Sequence, residues 1–237
     1  MSAQPLEFGV VQTSHSRMAQ LASLLTWRRA SGWPDCRVLE VGSYEGASAL
    51  SLSAFIGAAF PAGGSVLCVD PWQPYHTPEQ IAAGHLYLRM DEELRSGLVF
   101  ERFKRNAASC HPRAPISYLR GTLGQVKTMF DAAFFGAFDL IFIDGDHTYN
   151  SVRRDILEAM PMVRDGGLLC GDDFEMSFAP EEADYLRGLA SVDYHEGSFH
   201  PGVSLAILEL FDNKVWRAHG IWAVLKAAGG WSPKVVA

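Results

Sequence analysis

Short apolar runs alternate along the chain with longer segments whose apolar residues recur at helical spacing. The runs that predict strands are residues 37–42, 65–70, 116–121, 138–146, 167–174 and 220–226. The segments that predict helices are residues 14–30, 47–60, 88–110, 125–134, 149–163 and 203–211. Strands that alternate with helices pair in parallel through right-handed crossovers. The pattern therefore predicts an α/β fold with a doubly wound, mostly parallel sheet and helices on both faces.

One stretch organises the rest of the chain, FDLIFIDGD at Phe138–Asp146, followed directly by His147. A continuous apolar run that ends in acids and a glycine is typical of a strand buried on both faces, with polar residues at its carboxyl end. In open α/β sheets ligands bind at that edge. We therefore expect the functional site there.

Length and charge narrow the class of protein. The chain has 237 residues, 48% of them hydrophobic, and we expect one domain over residues 1–237 with an N-terminal helical cap over residues 1–34. The net charge of −7 provides no electrostatic footprint for nucleic acid or an anionic membrane surface. The apolar runs are far shorter than the roughly 20 residues of a membrane span.

The N-terminus and the cysteines favour a cytoplasmic protein. The first residues, MSAQPLEFGV, lack the basic and apolar regions of a signal peptide. Cys36, Cys68, Cys110 and Cys170 show no CxxC spacing. Free cysteines are often buried, so we expect reduced thiols.

A glycine loop follows the first predicted strand. Gly42 permits a tight turn, and Gly46 lets the next helix pack close to a ligand. The loop is not GxGxxG, and Glu40 beside it would repel a pyrophosphate but could accept bonds from a cationic ligand. Asp70 ends the next strand, where a carboxylate can bind ribose hydroxyls. The alternative is an ordinary tight turn between a strand and a helix.

Three acids follow two strands that neighbour each other in the doubly wound order. Adjacent strands lie about 4.8 Å apart, so the carboxylates of Asp144, Asp172 and Asp173 can converge. Uncompensated carboxylates would repel one another unless a cation lies among them. Oxygen ligands suit Mg²⁺ or Mn²⁺. The alternative is that Asp144 and Asp146 cap the next helix while the other two acids are solvated.

These motifs carry a resemblance. Residues 38–46 resemble motif I of class I S-adenosylmethionine-dependent methyltransferases, and residues 65–70 resemble their ribose-binding strand, in a likeness that extends over about residues 10–226. The resemblance implies a Rossmann-like fold with a seven-stranded sheet and S-adenosylmethionine as cofactor. The cofactor-binding residues that it implies are Glu40, Gly42, Ser43, Glu45, Gly46, Asp70, Trp72, Gly121, Thr122 and Asp144.

The acid motifs resemble a metal-dependent branch. IDGDHTY and GDDF are similar to the metal-binding segments of catechol O-methyltransferase-like enzymes, and more similar to those of bacterial macrolide-sugar O-methyltransferases. The catechol-type pattern ends in Asp-Asn, whereas Asp173 stands here. The resemblance implies a divalent metal, Mg²⁺ or Mn²⁺, with Asp144, Asp172 and Asp173 as its ligands.

His147 is the predicted general base. It stands three residues after Asp144, where catechol-type enzymes have a lysine and the macrolide-sugar branch a histidine. A histidine with its ordinary pKa of about 6.5 can accept a hydroxyl proton at neutral pH. The alternative is a residue of the helix N-terminus that is hydrogen-bonded to a neighbour.

Residues 71–87 are predicted to be irregular and carry aromatic residues and prolines. By likeness to related enzymes, residues 71–92 form a lid, with Trp72 near the cofactor; Trp72, Tyr75 and His76 could equally serve packing. His200 is a weaker candidate for contact with the acceptor.

The sequence thus predicts a metal-assisted O-methyltransferase acting on a hydroxyl of a small molecule: a sugar, a diol or a catechol-like compound. We expect no nucleic-acid or membrane partner, and a homo-oligomer is left open. The alternatives are a methyltransferase that uses no metal, a nicotinamide-dependent oxidoreductase, and a protein that binds S-adenosylmethionine without turnover. The missing GxGxxG disfavours the oxidoreductase.

Overall fold

The computed structural model describes residues 6, 8, 14–83 and 85–233. Nine α-helices and eight strands occur in this part of the chain. In chain order they are α1 (His15–Ala30), β1 (Cys36–Val41), α2 (Ala47–Ala59), β2 (Gly64–Asp70), α3 (Pro78–Ala83), α4 (His85–Arg95), α5 (Leu98–Ala107), β3 (Ile116–Arg120), α6 (Leu123–Phe134), β4 (Phe138–Ile143), α7 (Tyr149–Ala159), β5 (Val163–Gly171), α8 (Ala183–Gly188), α9 (Pro201–Phe211), β6 (Trp216–Ala218), β7 (Ile221–Ala227) and β8 (Gly230–Ser232).

The strands form one sheet in the order β3-β2-β1-β4-β5-β7-β6, and β8 pairs with β7. Neighbours from β3 to β5 are parallel, whereas β7 runs antiparallel to β5, β6 and β8. The predicted doubly wound, mostly parallel α/β fold is confirmed. The sheet has eight strands rather than the expected seven. Strand β1 lies between β2 and β4, so the strand order reverses there, which is where a ligand cleft forms in such sheets.

The core has one layer on each face of the sheet. One layer packs α1, α2 and α5 against the strands and includes Leu24, Ile56 and Phe103. The other packs α6, α7 and α9 and includes Val126 and Ile156. All six residues of β4 are buried, as expected for a central strand covered on both faces. The core therefore holds β4 rigidly and fixes the position of the acids that follow it.

Within the predicted N-terminal helical cap, residues 1–34, the structure shows helix α1. Its N-cap is Ser14, whose side chain accepts a hydrogen bond from the backbone N–H of Arg17 at 3.3 Å, as the pattern predicted. Residues 1–5, 7 and 9–13 of the predicted cap lie outside the described residues. None of the helices in the described ranges is long and apolar enough to cross a membrane. The four cysteines are free, and three of them are buried.

The prediction that residues 71–87 are irregular is wrong from Pro78 onward, where α3 and α4 form. Helix α3 begins with a reciprocal pair of hydrogen bonds. The N–H of Thr77 donates to Gln80 Oε1 at 2.6 Å, and the N–H of Gln80 donates to Thr77 Oγ1 at 3.3 Å. This is a capping box, which the prolines around it obscured in the sequence.

Two other predicted boundaries are corrected. The predicted helix 88–110 is two helices, because Gly97 adopts a left-handed φ of +77° between α4 and α5. The predicted helix 149–163 ends at Ala159, since Pro161 lacks the N–H that would continue it. Strand β5 accordingly begins at Val163 rather than at residue 167. The pattern also missed α8, β6 and β8, which have six, three and three residues.

Candidate active site

A cavity of about 580 Å³ opens at the carboxyl ends of β1, β2, β4 and β5. This volume is in the range of small-molecule sites. Its walls come from the loops that follow β1, β2, β3 and β4, and from parts of α1, α4 and α7. The predicted site at the carboxyl edge of the sheet therefore coincides with a cleft of suitable size.

Gly42 brings two of these loops into contact. Its φ is +84°, and a Cβ added there would lie 2.1 Å from the backbone oxygen of Asp144. No side chain fits that gap, so glycine allows the loop after β1 to pass directly against the end of β4. Gly46 has the same φ, and a Cβ there would lie 3.1 Å from the Phe103 ring. The glycine loop thus joins the predicted cofactor side to the acids.

Asp70 organises the glycine loop through its carboxylate. Oδ2 accepts hydrogen bonds from the backbone N–H groups of Ser43 and Tyr44 at 2.9 Å each, and Oδ1 accepts one from the N–H of Trp72 at 2.5 Å. Burial raises the pKa of Asp70, and these backbone hydrogen bonds partly offset that rise. The carboxylate lines the cavity at the end of β2, where the sequence placed it.

Glu40 and Trp72 lie behind the cavity wall and do not line it. Glu40 is fully buried, where burial raises the pKa of its carboxyl, and it accepts a hydrogen bond from Ser48 Oγ at 2.5 Å. The Trp72 ring packs on Phe100 and Phe103, with ring centroids 4.8 and 4.6 Å away. Both side chains therefore support the walls from outside in this structure.

The remaining predicted cofactor residues line the cavity. Glu45 does so while its carboxylate pairs with Arg102 at 2.8 Å. Gly121 and Thr122 follow β3, and Thr122 forms a capping box with Gln125 at the start of α6. These contacts fix the loop after β3 at the far end of the cavity.

The three predicted metal ligands converge. Single carboxylate oxygens of Asp144, Asp172 and Asp173 lie within 4.8 Å of one another. Arg17 of α1 also lies here. Its Nη1 is 2.9 Å from Asp172 Oδ2 and 2.8 Å from Asp173 Oδ1, and its Nη2 is 3.2 Å from Glu175 Oε1. The single positive charge of Arg17 therefore faces three carboxylates.

Burial and the crowding of negative charge both shift the pKa values of these acids. Burial and the nearby carboxylates of Asp172 and Asp173 raise the pKa of Asp144 well above its usual value. Burial and Asp173 raise the pKa of Asp172 to about 7, and Arg17 offsets only part of this. Burial also acts to raise the pKa of Asp173, but the hydrogen bond and charge of His147, together with the charges of His200 and Arg17, outweigh it, and the net pKa is well below the usual range.

His147 lies between two carboxylates. Its Nε2 is 2.8 Å from Asp173 Oδ2, and its Nδ1 is 2.8 Å from Asp193 Oδ1. Desolvation lowers the pKa of the imidazole, but the carboxylates of Asp173 and Asp193 more than offset this and raise it well above its usual value. The predicted base thus lies directly against a predicted metal ligand.

Asp146 has a structural task that the sequence left unassigned. It accepts hydrogen bonds from the N–H of Thr148 at 3.0 Å, from Thr148 Oγ1 at 3.0 Å and from Ser151 Oγ at 2.6 Å. These contacts hold the turn that leads into α7, whose N-cap residue is Thr148. Asp144 therefore faces the other two predicted metal ligands, whereas Asp146, two residues later, binds residues at the start of α7.

The residues present fit a divalent cation at Asp144, Asp172 and Asp173. The donors are hard carboxylate oxygens, and burial together with the neighbouring carboxylates raises the pKa values of Asp144 and Asp172, which a bound cation would lower. A second group of donors, His147, Asp173 and His200, also lies within 4.8 Å. Its mixture of nitrogen and oxygen donors would suit a transition metal better.

Several cavity residues were missed or only weakly indicated by the sequence. Arg17 lies in a helix predicted for its apolar residues, and Asp193 lies in a loop with no motif. Tyr87 is on α4, in the segment predicted to be irregular. His200, a weak candidate, lines the cavity with its ring centroid 4.5 Å from that of His147. The positive charge of Arg17 is visible in the sequence of the first helix and could have drawn attention to it. No local signal identifies Asp193.

Among solved structures, two of the methyltransferase CalS11 share the fold. The apo structure of this TDP-rhamnose 3'-O-methyltransferase of calicheamicin biosynthesis has a TM-score of 0.51 at 13% identity, covering 90% of this chain and 80% of that one. A second CalS11 structure has a TM-score of 0.54 at the same identity and coverage. The O-methyltransferase from Bacillus cereus in complex with SAH has a TM-score of 0.49 at 18% identity, covering 91% and 83%. At these identities the likeness concerns the fold alone.

The sequence comparison identifies the family. No curated protein matches the chain. A family model described as a methyltransferase domain matches residues 39–174, which include the glycine loop and all three acids. The resemblance to class I methyltransferases is thereby confirmed, and the oxidoreductase alternative is set aside. The chain belongs to this methyltransferase-domain family.

Proposed function

We propose that the protein is an S-adenosylmethionine-dependent, metal-assisted O-methyltransferase that acts on a hydroxyl of a small molecule: a sugar, a diol or a catechol-like compound. One observation carries the proposal. The carboxylates of Asp144, Asp172 and Asp173 converge beside the glycine loop, and His147 lies 2.8 Å from one of them. CalS11, which shares the fold at low identity, is a sugar O-methyltransferase.

The cofactor would lie along the glycine loop. Gly42, Ser43, Glu45 and Gly46 follow β1, and the Asp70 carboxylate, which lines the cavity, would accept bonds from the ribose hydroxyls. Gly121, Thr122 and Leu123 line the end of the same cavity, where the adenine would fit. The backbone contact between Gly42 and Asp144 supports a position of the methyl donor beside the acids.

Asp144, Asp172 and Asp173 would hold the metal, Mg²⁺ by preference. When bound, such an ion lowers the pKa of a hydroxyl that contacts it and orients that hydroxyl for attack. The carboxylates of Asp173 and Asp193 raise the pKa of His147, so the base role belongs to its neutral form, which would accept the hydroxyl proton while the oxygen attacks the sulfonium methyl group. The carbon–sulfur bond breaks, and its electron pair stays on sulfur as S-adenosylhomocysteine leaves. General-base assistance of this kind is worth about 100- to 10,000-fold in rate.

Radiolabelled S-adenosylmethionine offered with nucleotide sugars, diols and catechols tests the proposal. We expect transfer that EDTA abolishes and Mg²⁺ restores, while calorimetry shows cofactor binding in both states. His147→Ala should keep metal and cofactor affinity and lose about 100-fold or more in rate. A full rate in His147→Ala would rule out the base role.

One observation favours a second candidate function, a methyltransferase that uses no metal. The Arg17 guanidinium already bridges Asp172 and Asp173, so it could hold them without an ion. This candidate predicts transfer that survives exhaustive chelation and fails in Arg17→Met. Cofactor binding with no transfer to any acceptor would instead support a non-catalytic binding protein.

A further inference from the structure

Asp155 places a buried carboxylate in the wall of the cavity, away from the three converging acids. It lies on α7, its side chain is 8% exposed, and it lines the cavity together with Thr122 and Leu123. Its Oδ1 accepts a hydrogen bond from Arg154 Nε at 3.3 Å. Its Oδ2 faces the loop after β4, since a Cβ added at Gly145 would lie 3.8 Å from that oxygen. The proposed methyl transfer uses neither oxygen.

The second carboxylate oxygen of Asp155 has no donor. Across the described parts of the chain, no N–H or O–H group makes a hydrogen bond to Oδ2. Burial raises the pKa of this carboxyl to about 6, and Arg154 offsets only part of the rise. A buried polar group without a partner is costly, so this oxygen favours a ligand that brings a hydrogen-bond donor.

An unpaired donor lies near this acid at the start of α6. Thr122 is the N-cap, so the N–H of Leu123 is one of the first in the helix and has no carbonyl partner within it. Among the described residues it has no other acceptor either. A Cβ added at Gly124 would lie 2.6 Å from Glu158 Oε1, so the start of α6 packs against α7 within one turn of Asp155.

We propose, resting on the proposed function, that Asp155 is the residue that selects adenine in the cofactor. Its Oδ2 accepts a hydrogen bond from the exocyclic amino group of the base, and the N–H of Leu123 donates to the neighbouring ring nitrogen N1. Adenine carries this donor and this acceptor side by side on one edge. Hypoxanthine has a carbonyl in place of the amino group and a hydrogen on N1, so its edge would set acceptor against acceptor and donor against donor. The site thereby takes a 6-amino purine nucleoside and rejects its 6-oxo counterpart.

Calorimetry on the full chain with S-adenosylhomocysteine and S-inosylhomocysteine tests the selection. The parent should bind the adenosyl compound about 100-fold more tightly, because the 6-oxo base leaves both protein groups unpaired. In Asp155→Asn the amide can present either its oxygen or its NH₂ group to the base. This variant should bind S-inosylhomocysteine more tightly than the parent does and bring the two affinities within about 10-fold of each other.

Asp165→Asn is the control, since the Asp165 side chain is 98% exposed, and it should keep the preference of the parent. An unchanged preference in Asp155→Asn would overturn the inference. Equal binding of the two compounds by the parent would overturn it as well.

Leu123→Pro tests the donor independently of the acid. Proline is accepted at the first position of a helix, and Thr122 already has the extended φ of −72° and ψ of 153–160° range value of 159° that suits a residue before proline. Leu123→Pro removes the N–H, whereas the control Leu123→Ala removes the side chain and keeps the N–H. Leu123→Pro should bind S-adenosylhomocysteine about 10-fold more weakly than Leu123→Ala, and equal affinities would contradict the donor role.

The outcomes separate this inference from the proposed function. If the parent discriminates and Asp155→Asn does not, yet no acceptor is methylated, the inference stands and the proposed function fails. Methyl transfer by a parent that binds both thioethers equally would leave the function in place and remove the role of Asp155. A parent that binds no S-adenosylhomocysteine would overturn both.

Discussion

The two ends of β4 carry two groups of acids and arginines that differ in charge balance. Near the start of the strand, Asp139 is fully buried and pairs with Arg28 at 2.7 Å and Arg164 at 2.9 Å. It also accepts a hydrogen bond from the N–H of Arg37 at 2.8 Å. At the other end, several carboxylates share Arg17. In the first group two arginines pair with one acid, whereas in the second group one arginine pairs with three acids.

Helix α1 supplies an arginine to both groups. Arg17 and Arg28 are eleven residues apart, about 16 Å along a helix. Asp139 and Asp144 are five residues apart, about 16 Å along a strand. The helix therefore runs opposite to β4 with one arginine at each end. Removal of one partner from a buried, fully paired group destabilises the fold, whereas an unbalanced cluster in a cleft is typical of a functional site.

Asp144→Ala should have the largest effect at the unbalanced end. We expect methyl transfer to fall by about 1,000-fold or more, because the proposed metal would lose a ligand and the acceptor hydroxyl its alignment. Thermal stability without metal should stay the same or rise, since a crowded carboxylate is removed. Calorimetry with Mg²⁺ and a thermal melt measure the two effects. A large loss of stability would mean that the two ends of β4 do not differ in the way described.

Asp139→Ala should do the opposite. It leaves two guanidinium groups without their carboxylate, and removing one partner of a buried pair costs about 3–5 kcal/mol in the free energy of unfolding. Urea denaturation measures this, and Asp165→Ala, at a side chain 98% exposed, is the control. Affinity for Mg²⁺ in the protein that stays folded should not change.

The pH dependence of stability separates the two ends further. The pKa of Asp172 is raised to about 7 in the folded chain, so the folded state binds its proton more tightly than the unfolded state does. Stability from this group is present at low pH and is lost as pH rises through about 7. In metal-free melts, the advantage of Asp172→Asn over the parent should therefore grow between pH 5 and about pH 7.5. Saturating Mg²⁺ should cancel that trend in the parent, and an advantage that is flat with pH would contradict the raised pKa.

Arg17→Met should have the smallest effect, but the direction of the change in Mg²⁺ affinity distinguishes two roles for Arg17. A nearby positive charge competes with the metal, so its loss should raise Mg²⁺ affinity several-fold. Arg28→Met, at the other end of the same helix, should lower stability and leave metal affinity unchanged. Weaker Mg²⁺ binding in Arg17→Met would show that Arg17 organises the ligands instead of competing for them.

Local patterns predicted the parts of the site that follow single strands. The apolar run before Asp144, the glycine at 42 and the acid pair at Asp172 each lie in one short segment, so burial and backbone geometry could be inferred directly. Asp193 could not, because it meets His147 from 46 positions away in a loop without a motif. The same holds for Arg17, which reaches Asp172 only because α1 packs along β4.

Gly42 has a consequence for redesign. Because its backbone lies against the backbone of Asp144, main-chain packing would set how closely the methyl donor approaches the acids in the proposed enzyme. Other segments that line the cavity, such as α4, could be exchanged between relatives without changing that spacing. New acceptor ranges should therefore be sought by grafting these segments, with the chain around position 42 left untouched.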